Sequence, residues 1–454
     1  MPTLMWFRRD LRRQDNPALA AAATSGADGG VVPVFVLDPA LWGPAGPARQ
    51  TYLLRSLRAL DADLGGHLVV RRGDPAEEVA GLAREVGASE VHMAADHGPY
   101  GRRRDEGVAG ALRTAGVEVV VTGSSYAVAP GRVLKGDGTS YSVFTPFSKA
   151  WLAHGWRPPA VMPKRVSWAD VDRPDLDAAL GVEPAGAADR LPIAGERASL
   201  RAWERWRDDH LADYDDERDR PDLDSSSRLS VPLKYGEIHP RTLLADLGGR
   251  RGKGPDALRR QLCWREFYAD ILWQHPESAR EYLKPQQAPT QYDTGVDADR
   301  LFDAWRTGHT GYPIVDAGMR QLLGEAWMHN RVRLIVASFL TKDLHQDWRR
   351  GARHFMDRLV DGDLASNNHN WQWVAGTGAD AAPYHRVFNP VVQGKRFDPD
   401  GVYVRRWVPE LGGVTGAAVH EPWTLPGGVP DGYPERVVDH KAEREEALRR
   451  YGER

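Results

Sequence analysis

In the first third of the chain, short apolar runs alternate with longer stretches whose apolar positions recur every three to four residues. The runs at 3–7, 31–37, 68–72, 90–95 and 117–122 are rich in Val, Leu and Phe and read as strands. The stretches between them, 17–24, 49–64, 75–86 and 102–115, read as helices. Asp15-Asn16-Pro17 supplies a capping side chain followed by Pro in the first turn, and Asp74-Pro75 repeats the signal. Strands that are apolar on both faces and alternate with helices predict an α/β domain with a doubly wound parallel sheet. Ligands of such sheets bind beyond the carboxyl ends of the strands. Asp38, Asp74 and Asp96 fall there, although Asp is also a common turn residue. No G-x-G-x-x-G follows the first strand, and Gly249–Gly254 contains Gly-Lys without the spacing of a P-loop.

The alternation stops over 128–200, where Pro158-Pro159, Pro163, Pro174, Pro184 and Pro192 mark a long connection. From about residue 200 onward the pattern is helical. Leu200, Trp203, Trp206, His210 and Leu211 form one stripe, and Leu258, Leu262, Phe267 and Ile271 another. Segment 315–347 gives a third, 225–242 reads as an interrupting loop, and 439–454 as a charged helix. The chain therefore divides into an α/β domain (1–127), a connector (128–200) and an all-α domain (201–454).

Composition changes this picture in a few places. The 454 residues are 41% hydrophobic and 27% charged, which excludes a disordered or fibrous chain. Cys263 is the single cysteine, so no intramolecular disulfide or cysteine-based zinc site exists. No metal is expected. No run reaches the ~18 apolar residues of a membrane span, and the N-terminus lacks a secretory apolar stretch; a cytoplasmic protein without membrane partners is expected. A net charge of −3 argues against a uniformly basic nucleic-acid binder and leaves room for a local basic groove. The 16 Trp outnumber both 14 Tyr and 10 Phe, and eleven of them lie beyond residue 200.

Three clusters bear chemistry. Asp361-Gly362-Asp363 puts two carboxylates around a Gly ahead of a helix. They could bind a metal, do acid–base work, or accept from an imide N–H and a ribose; the bland alternative is a capped turn. Asn330-Arg331-Val332-Arg333 places a polar block within an apolar helical pattern, and an Arg333–Asp361 pair would satisfy its charge. Trp371-Gln372-Trp373 holds two indoles that cannot share one helix face. Trp264 and Trp348 complete the aromatic set, with stacking on a nucleobase as the functional reading and core filling as the other.

These blocks, together with Trp6-Phe7-Arg8-Arg9-Asp10-Leu11-Arg12, Tyr141–Phe147, Cys263-Trp264-Arg265-Glu266-Phe267-Tyr268 and the run from Gly311 to Leu411, closely resemble the photolyase/cryptochrome family, specifically class I cyclobutane pyrimidine dimer photolyases. The resemblance implies a Rossmann-like antenna domain, a connector and a helical FAD-binding domain. It implies FAD contacts at Tyr214, Ser226, Ser227, Leu229, Ser230, Arg265, Asn330, Arg333, Asp361, Asp363 and Asn367, the last facing flavin N5. Asn, unlike Asp, has no proton to give, which suits a fully reduced anionic flavin. It implies an electron-transfer chain through Trp371 and Trp348, and dimer contacts at Gln261, Trp264, Arg331, Leu334, Trp373 and Gln393. Lys395, Arg396, Arg405 and Arg406 are candidates for phosphate contacts from charge alone. An antenna of the 8-hydroxy-5-deazaflavin type, rather than methenyltetrahydrofolate, is implied at Asp38, Arg49, Asp96 and Lys234. The expected activity is light-driven repair of UV-damaged DNA by a monomer that flips the dimer out of the duplex.

Three departures from the family pattern stand out. Gln261 replaces the usual Glu and Leu334 the usual Met, both in the expected dimer pocket; six-four photolyases also carry Gln at the first place, but their His pair is absent here. Gly295 stands where the surface Trp of the electron chain is expected, which points to Tyr292, or Tyr268, as last donor. A cryptochrome-like photoreceptor is the alternative function; Asn367 and the short chain after Pro409 favour the enzyme.

Overall fold

The structure, a computed structural model, describes residues 1–187, 190–289, 291–380 and 386–452. It has two compact units. Met1–Ala187, Pro192–Asp209 and Arg228–Pro276 make the first, and the second is built from Arg190 and Leu191, His210–Ser227 and the chain from Glu277 onward.

In the first unit, β1 (Thr3–Phe7), β2 (Val31–Leu37), β3 (Val69–Arg72), β4 (Glu90–Ala95) and β5 (Glu118–Ser124) form one parallel sheet in the order β3-β2-β1-β4-β5. The order reverses between β1 and β4, which makes their carboxyl ends the topological switch point. β1 and β2 are buried along their whole length, as their unbroken apolar runs require, while the edge strand β5 is half-exposed. The intervening helices Pro17–Ser25, Pro47–Asp63, Pro75–Val86 and Pro99–Thr114 each begin on Pro, whose missing N–H costs nothing at that position. Asn16 and Asp74 cap two of them as expected, Asn16 Oδ1 accepting from Leu19 N at 3.1 Å and Asp74 Oδ1 from Ala76 N at 2.8 Å. A short helix, Pro39–Trp42, was not expected; Asp38 caps it.

Two buried carboxylates anchor segments that carry little regular structure. Glu237 accepts from the hydroxyls of Tyr52, Ser56 and Ser199 and from Gly195 N, all within 2.7–2.9 Å. Glu266 accepts from Ala127 N at 2.5 Å, Val128 N at 3.0 Å and the Trp151 indole at 2.7 Å. Burial raises the pKa of both, and these donors oppose the shift. The connector holds helices Phe144–His154 and Leu176–Leu180 and the start of Glu196–His210, tied down by these hydrogen bonds and by the buried Phe147, Trp151 and Leu180.

The second unit packs helices Val296–Thr307, Pro313–Glu325, Asn330–Ser338, Trp348–Arg358, Leu364–Ala375 and Pro390–Phe397 around a core that includes Trp305, Met319, Ile335, Phe355 and Trp371. Three expectations need correction here and in the first unit. Segment 315–347 is not one helix. It stops at Ala326, whose φ of 51° is left-handed, and restarts at Asn330 after His329, whose Nδ1 accepts from Arg331 N at 3.2 Å. The Asn-Arg-x-Arg block therefore opens a helix instead of interrupting one. The third correction is segment 225–242, which contains helix Ser230–Tyr235; Pro232 sits in its first turn, where an amide has no intrahelical acceptor anyway. The terminal helix runs His440–Gly452, and the last two residues of the expected 439–454 lie outside the described residues.

Candidate active site

The second unit brings together most of the residues singled out in its sequence. Asp363 caps helix Leu364–Ala375, accepting from Ser366 N at 3.1 Å, so the capped-turn reading holds for this carboxylate. Asp361 behaves differently. Its Oδ2 accepts from Arg333 Nη2 at 2.8 Å, forming the expected pair, while its Oδ1 is buried with no partner among the described residues. A buried carboxylate oxygen left without a donor is costly unless a ligand supplies one. Arg333 is further fixed by donating from Nε to Met328 O at 2.8 Å.

Asn367 donates from Nδ2 to Ala352 O at 3.0 Å and to Asn368 Oδ1 at 2.8 Å. Both donors are thereby used inside the protein, and the side chain presents its carbonyl oxygen as an acceptor. One helical turn on, Trp371 is buried and lies edge-on to Phe355 at 5.0 Å and to Trp305 at 6.1 Å. Its ring fills the space where Gly351 lacks a side chain; a Cβ there would meet the indole at 2.1 Å. Gly351 stands three residues after Trp348, so the two indoles belong to adjacent turns of one packed helix pair. Trp348 is also buried, and its indole N–H has no partner among the described residues. Trp373 is half-exposed, so the two indoles flanking Gln372 do face differently.

Arg331 pairs with Asp219 at 2.6 Å and lies over the Phe397 ring at 4.5 Å, so Asp219 offsets its charge. His329 beside it is held neutral, its pKa lowered to about 4 by burial. Leu334 packs against the core, Gln393 is half-buried on Pro390–Phe397, and Tyr214 is half-buried in a short helix preceding Ser226 and Ser227. Of the four basic candidates for phosphate contacts, Lys395 pairs with Glu421, Arg405 donates to the carbonyls of Asp400 and Val414, and Arg406 lies 3.9 Å from Asp224. Arg396 is exposed over Phe397 and has no carboxylate partner among the described residues.

Tyr292 does not meet Trp348 directly. The ring edge-on to Trp348, 6.0 Å away, is that of Tyr282, whose hydroxyl bonds that of Tyr292 at 2.8 Å. Sequence reasoning missed Tyr282, which lies in an aperiodic stretch after a 3-10 turn and has no pattern to betray it. Gln372 places it: its Oε1 accepts from Leu283 N at 2.8 Å and its Nε2 donates to Ser278 O at 2.9 Å.

In the first unit, Gln261, Trp264 and Arg265 lie on helix Lys253–Gln274. Phe144 stacks on Trp264 at 3.6 Å with the rings 6° from parallel, a partner also missed; Tyr268 packs beside it at 5.4 Å. Arg265 donates to the carbonyls of Ser125 at 3.1 Å and Leu233 at 3.3 Å, and so links the end of β5 to helix Ser230–Tyr235, which Leu229 precedes.

The carboxyl edge of the sheet collects the remaining candidates. Asp38 accepts from the Tyr100 hydroxyl at 2.5 Å; burial, then that hydrogen bond, pushes the Tyr100 pKa up to about 12. Asp96 accepts from Gly98 N at 3.1 Å and Arg104 at 3.2 Å. Burial would raise the Asp96 pKa, but Arg9, Arg104 and Arg8 outweigh it and leave the carboxylate more acidic. The Arg49 carbonyl accepts from the Tyr235 hydroxyl at 3.3 Å, next to Lys234, and Gly236 sits so tightly on Arg9 that a Cβ would strike its carbonyl. Asp74 caps helix Pro75–Val86. Among the described residues no three His, Cys, Asp or Glu side chains converge on a metal position, and no helix is long and apolar enough to cross a membrane.

Comparison with known proteins gives this arrangement its context. Residues 258–453 match the FAD binding domain of DNA photolyase, and residues 3–164 match DNA photolyase. A deoxyribodipyrimidine photo-lyase of Streptomyces griseus is 44% identical over 446 residues, covering 95% of each chain. The Escherichia coli protein of that name is 37% identical over 99% of this chain and 98% of its own. Among solved structures, a bacterial class III photolyase from Agrobacterium tumefaciens superposes with a TM-score of 0.92 at 38% identity, covering 100% of this chain and 97% of that one. Similarity of this extent, over both the sheet and the helical unit, establishes that the chain belongs to the photolyase/cryptochrome family.

Proposed function

We propose that this protein is a deoxyribodipyrimidine photo-lyase of the cyclobutane-dimer type, which binds UV-damaged DNA and splits the dimer with light. The observation that carries the reading is the near-full-length similarity to proteins of that name, 44% in the Streptomyces griseus case. FAD fits the residues present. The unpartnered buried Oδ1 of Asp361 is an acceptor for a ligand N–H, and Arg333 beside it offsets negative charge on a reduced ring. The Asn367 carbonyl is a second acceptor and has no proton to donate, which favours a reduced ring carrying its own N–H. Tyr214, Ser226 and Ser227 are assigned to the phosphate and ribityl end. When bound and reduced, FAD supplies the photoexcited electron that opens the cyclobutane ring and is then returned.

The remaining chemistry is positioning. Trp373 offers a half-exposed indole on which a base extruded from the duplex can stack, and stacking of this kind contributes about 1–3 kcal/mol per base. Trp264, backed by Phe144, is held rigidly enough to do the same. Gln261 is a neutral donor and acceptor where a charged acid is usual, and Arg396, exposed and without a carboxylate partner among the described residues, is a cation for a phosphate. An antenna of the deazaflavin type is assigned to Asp38, Arg49, Asp96 and Lys234 at the sheet's carboxyl edge. The archaeal photolyase from Sulfolobus tokodaii, similar at 29% identity, was solved with two FAD molecules, so FAD is the competing antenna.

Two oligonucleotides test the assignment, one carrying a cyclobutane thymine dimer and one a six-four product. Blue light with reduced protein is expected to restore the first and leave the second. Restoration of the six-four product instead would overturn the assigned lesion.

A further inference from the structure

We propose that Tyr282 is the residue that re-reduces Trp348 after light has oxidised it, its phenolic proton leaving through the Tyr292 hydroxyl. This rests on the function proposed above and on the electron-transfer chain through Trp371 and Trp348 that the family resemblance implies. Trp348 is 1% exposed, so an external reductant cannot touch it, and a partly exposed neighbour shortens the electron's path from solvent. The Tyr282 ring stands edge-on to Trp348 at 6.0 Å and is half-buried, one step nearer the solvent. Tyr292, which the sequence favoured, stands behind Tyr282 and accepts from its hydroxyl at 2.8 Å.

The surroundings of Tyr282 also set the form of its oxidised state. The Arg349 guanidinium lies 5.0 Å over the ring, and a positive charge there disfavours a ring that keeps its proton while losing an electron. The proton must leave as the electron does. The Tyr282 hydroxyl donates to the Tyr292 oxygen at 2.8 Å, which gives the proton its way out. One electron passes from the Tyr282 ring to the Trp348 radical cation, the phenolic O–H breaks, and the proton joins the Tyr292 oxygen as Tyr292 hands its own proton to water. The products are neutral Trp348, a neutral tyrosyl radical and a hydrated proton. An external thiolate then returns one electron, becoming a thiyl radical, as a proton comes back to the phenolic oxygen by the same route. Tyr292 relays the proton and donates no electron.

The test uses flavin-loaded full-length protein, a blue flash, and transient absorption with EPR to identify the radical. In the wild type the tryptophanyl signal is expected to give way to a tyrosyl one. Tyr282→Phe should lose the tyrosyl signal, and Tyr292→Phe, which removes the acceptor of the phenolic proton, should lower its yield. Tyr282→Trp should restore a long-lived radical, now tryptophanyl, which guards against a mere folding defect. A tyrosyl radical of undiminished yield in Tyr282→Phe, or no tyrosyl signal in the wild type, overturns the proposal. Dimer repair by pre-reduced wild-type protein reports on the enzymatic reading separately, so failure of one does not mimic failure of the other.

Discussion

Gly351→Ala is the sharpest test of how the indole pair is held. Built on the native backbone, the new Cβ would lie 2.1 Å from Trp371 Cη2, 2.5 Å from Cζ3 and 2.6 Å from Leu340 Cδ2, against 3.4 Å for an ordinary contact. The ring would have to retreat by the difference, 3.4 − 2.1 = 1.3 Å, yet Trp305 and Phe355 stand edge-on against it. Overpacking of this kind costs about 1–3 kcal/mol, here toward the upper end because every neighbour is rigid. Ala favours a helix over Gly by about 1 kcal/mol, which leaves a net loss of about 1–2 kcal/mol. Gly107 provides the control. It lies in helix Pro99–Thr114, is exposed, and has nothing within 4 Å of a Cβ, so Gly107→Ala should gain up to about 1 kcal/mol. Thermal unfolding followed by Trp fluorescence should move the two midpoints in opposite directions, by about 2–4 °C per kcal/mol. A Gly351→Ala protein as stable as the wild type, with unchanged near-UV dichroism, would refute the close packing of Trp371 on this helix.

Other predictions follow from the same geometry. Asp361→Ala strands Arg333, so it should lower stability by about 2 kcal/mol and reduce the flavin retained through gel filtration; full retention would contradict the assigned acceptor. Trp373→Ala should weaken binding to dimer-containing DNA by about tenfold, within the range for one lost stacking partner, as read by fluorescence anisotropy. Stability should fall as pH drops from about 6.5 toward 4. Burial depresses the His354 pKa to about 4, so the unfolded chain binds the extra proton throughout that window. His354→Leu should flatten this fall by about 1–3 kcal/mol in urea titrations at the two pH values, and an unchanged slope would count against it.

The strands were legible because their apolar runs are continuous, and two of the helices between them open on Asn-Pro or Asp-Pro, signals that act within a few residues. The two that open on Gly-Pro begin two or three residues earlier than their apolar spacing suggested. Asp361 and Arg333 could be paired in advance because a charge in an apolar segment needs an opposite charge. The break at Ala326 was not legible, since its left-handed φ carries no Gly or Asn to announce it. His329 as a cap and Asp219 as the partner of Arg331 depend on segments far apart in the chain, which no local pattern reports. Tyr282 and Phe144 share that origin. Their roles arise from what packs beside them, and each sits in a stretch without periodicity or at a helix start. The capping role of Asp363, by contrast, was the bland alternative at the sequence level and is what the fold uses it for.

The central claim is that light drives repair through a reduced flavin held by this chain. A single-turnover measurement addresses it most directly: pre-reduced protein is mixed with a slight excess of oligonucleotide bearing one cyclobutane dimer, and intact thymines are counted in the dark and under blue light. Restoration confined to the illuminated sample, and lost when the flavin is oxidised and no thiol is present, is the predicted result. Equal dimer content in both samples, with reduced flavin verified by its spectrum, would contradict the account.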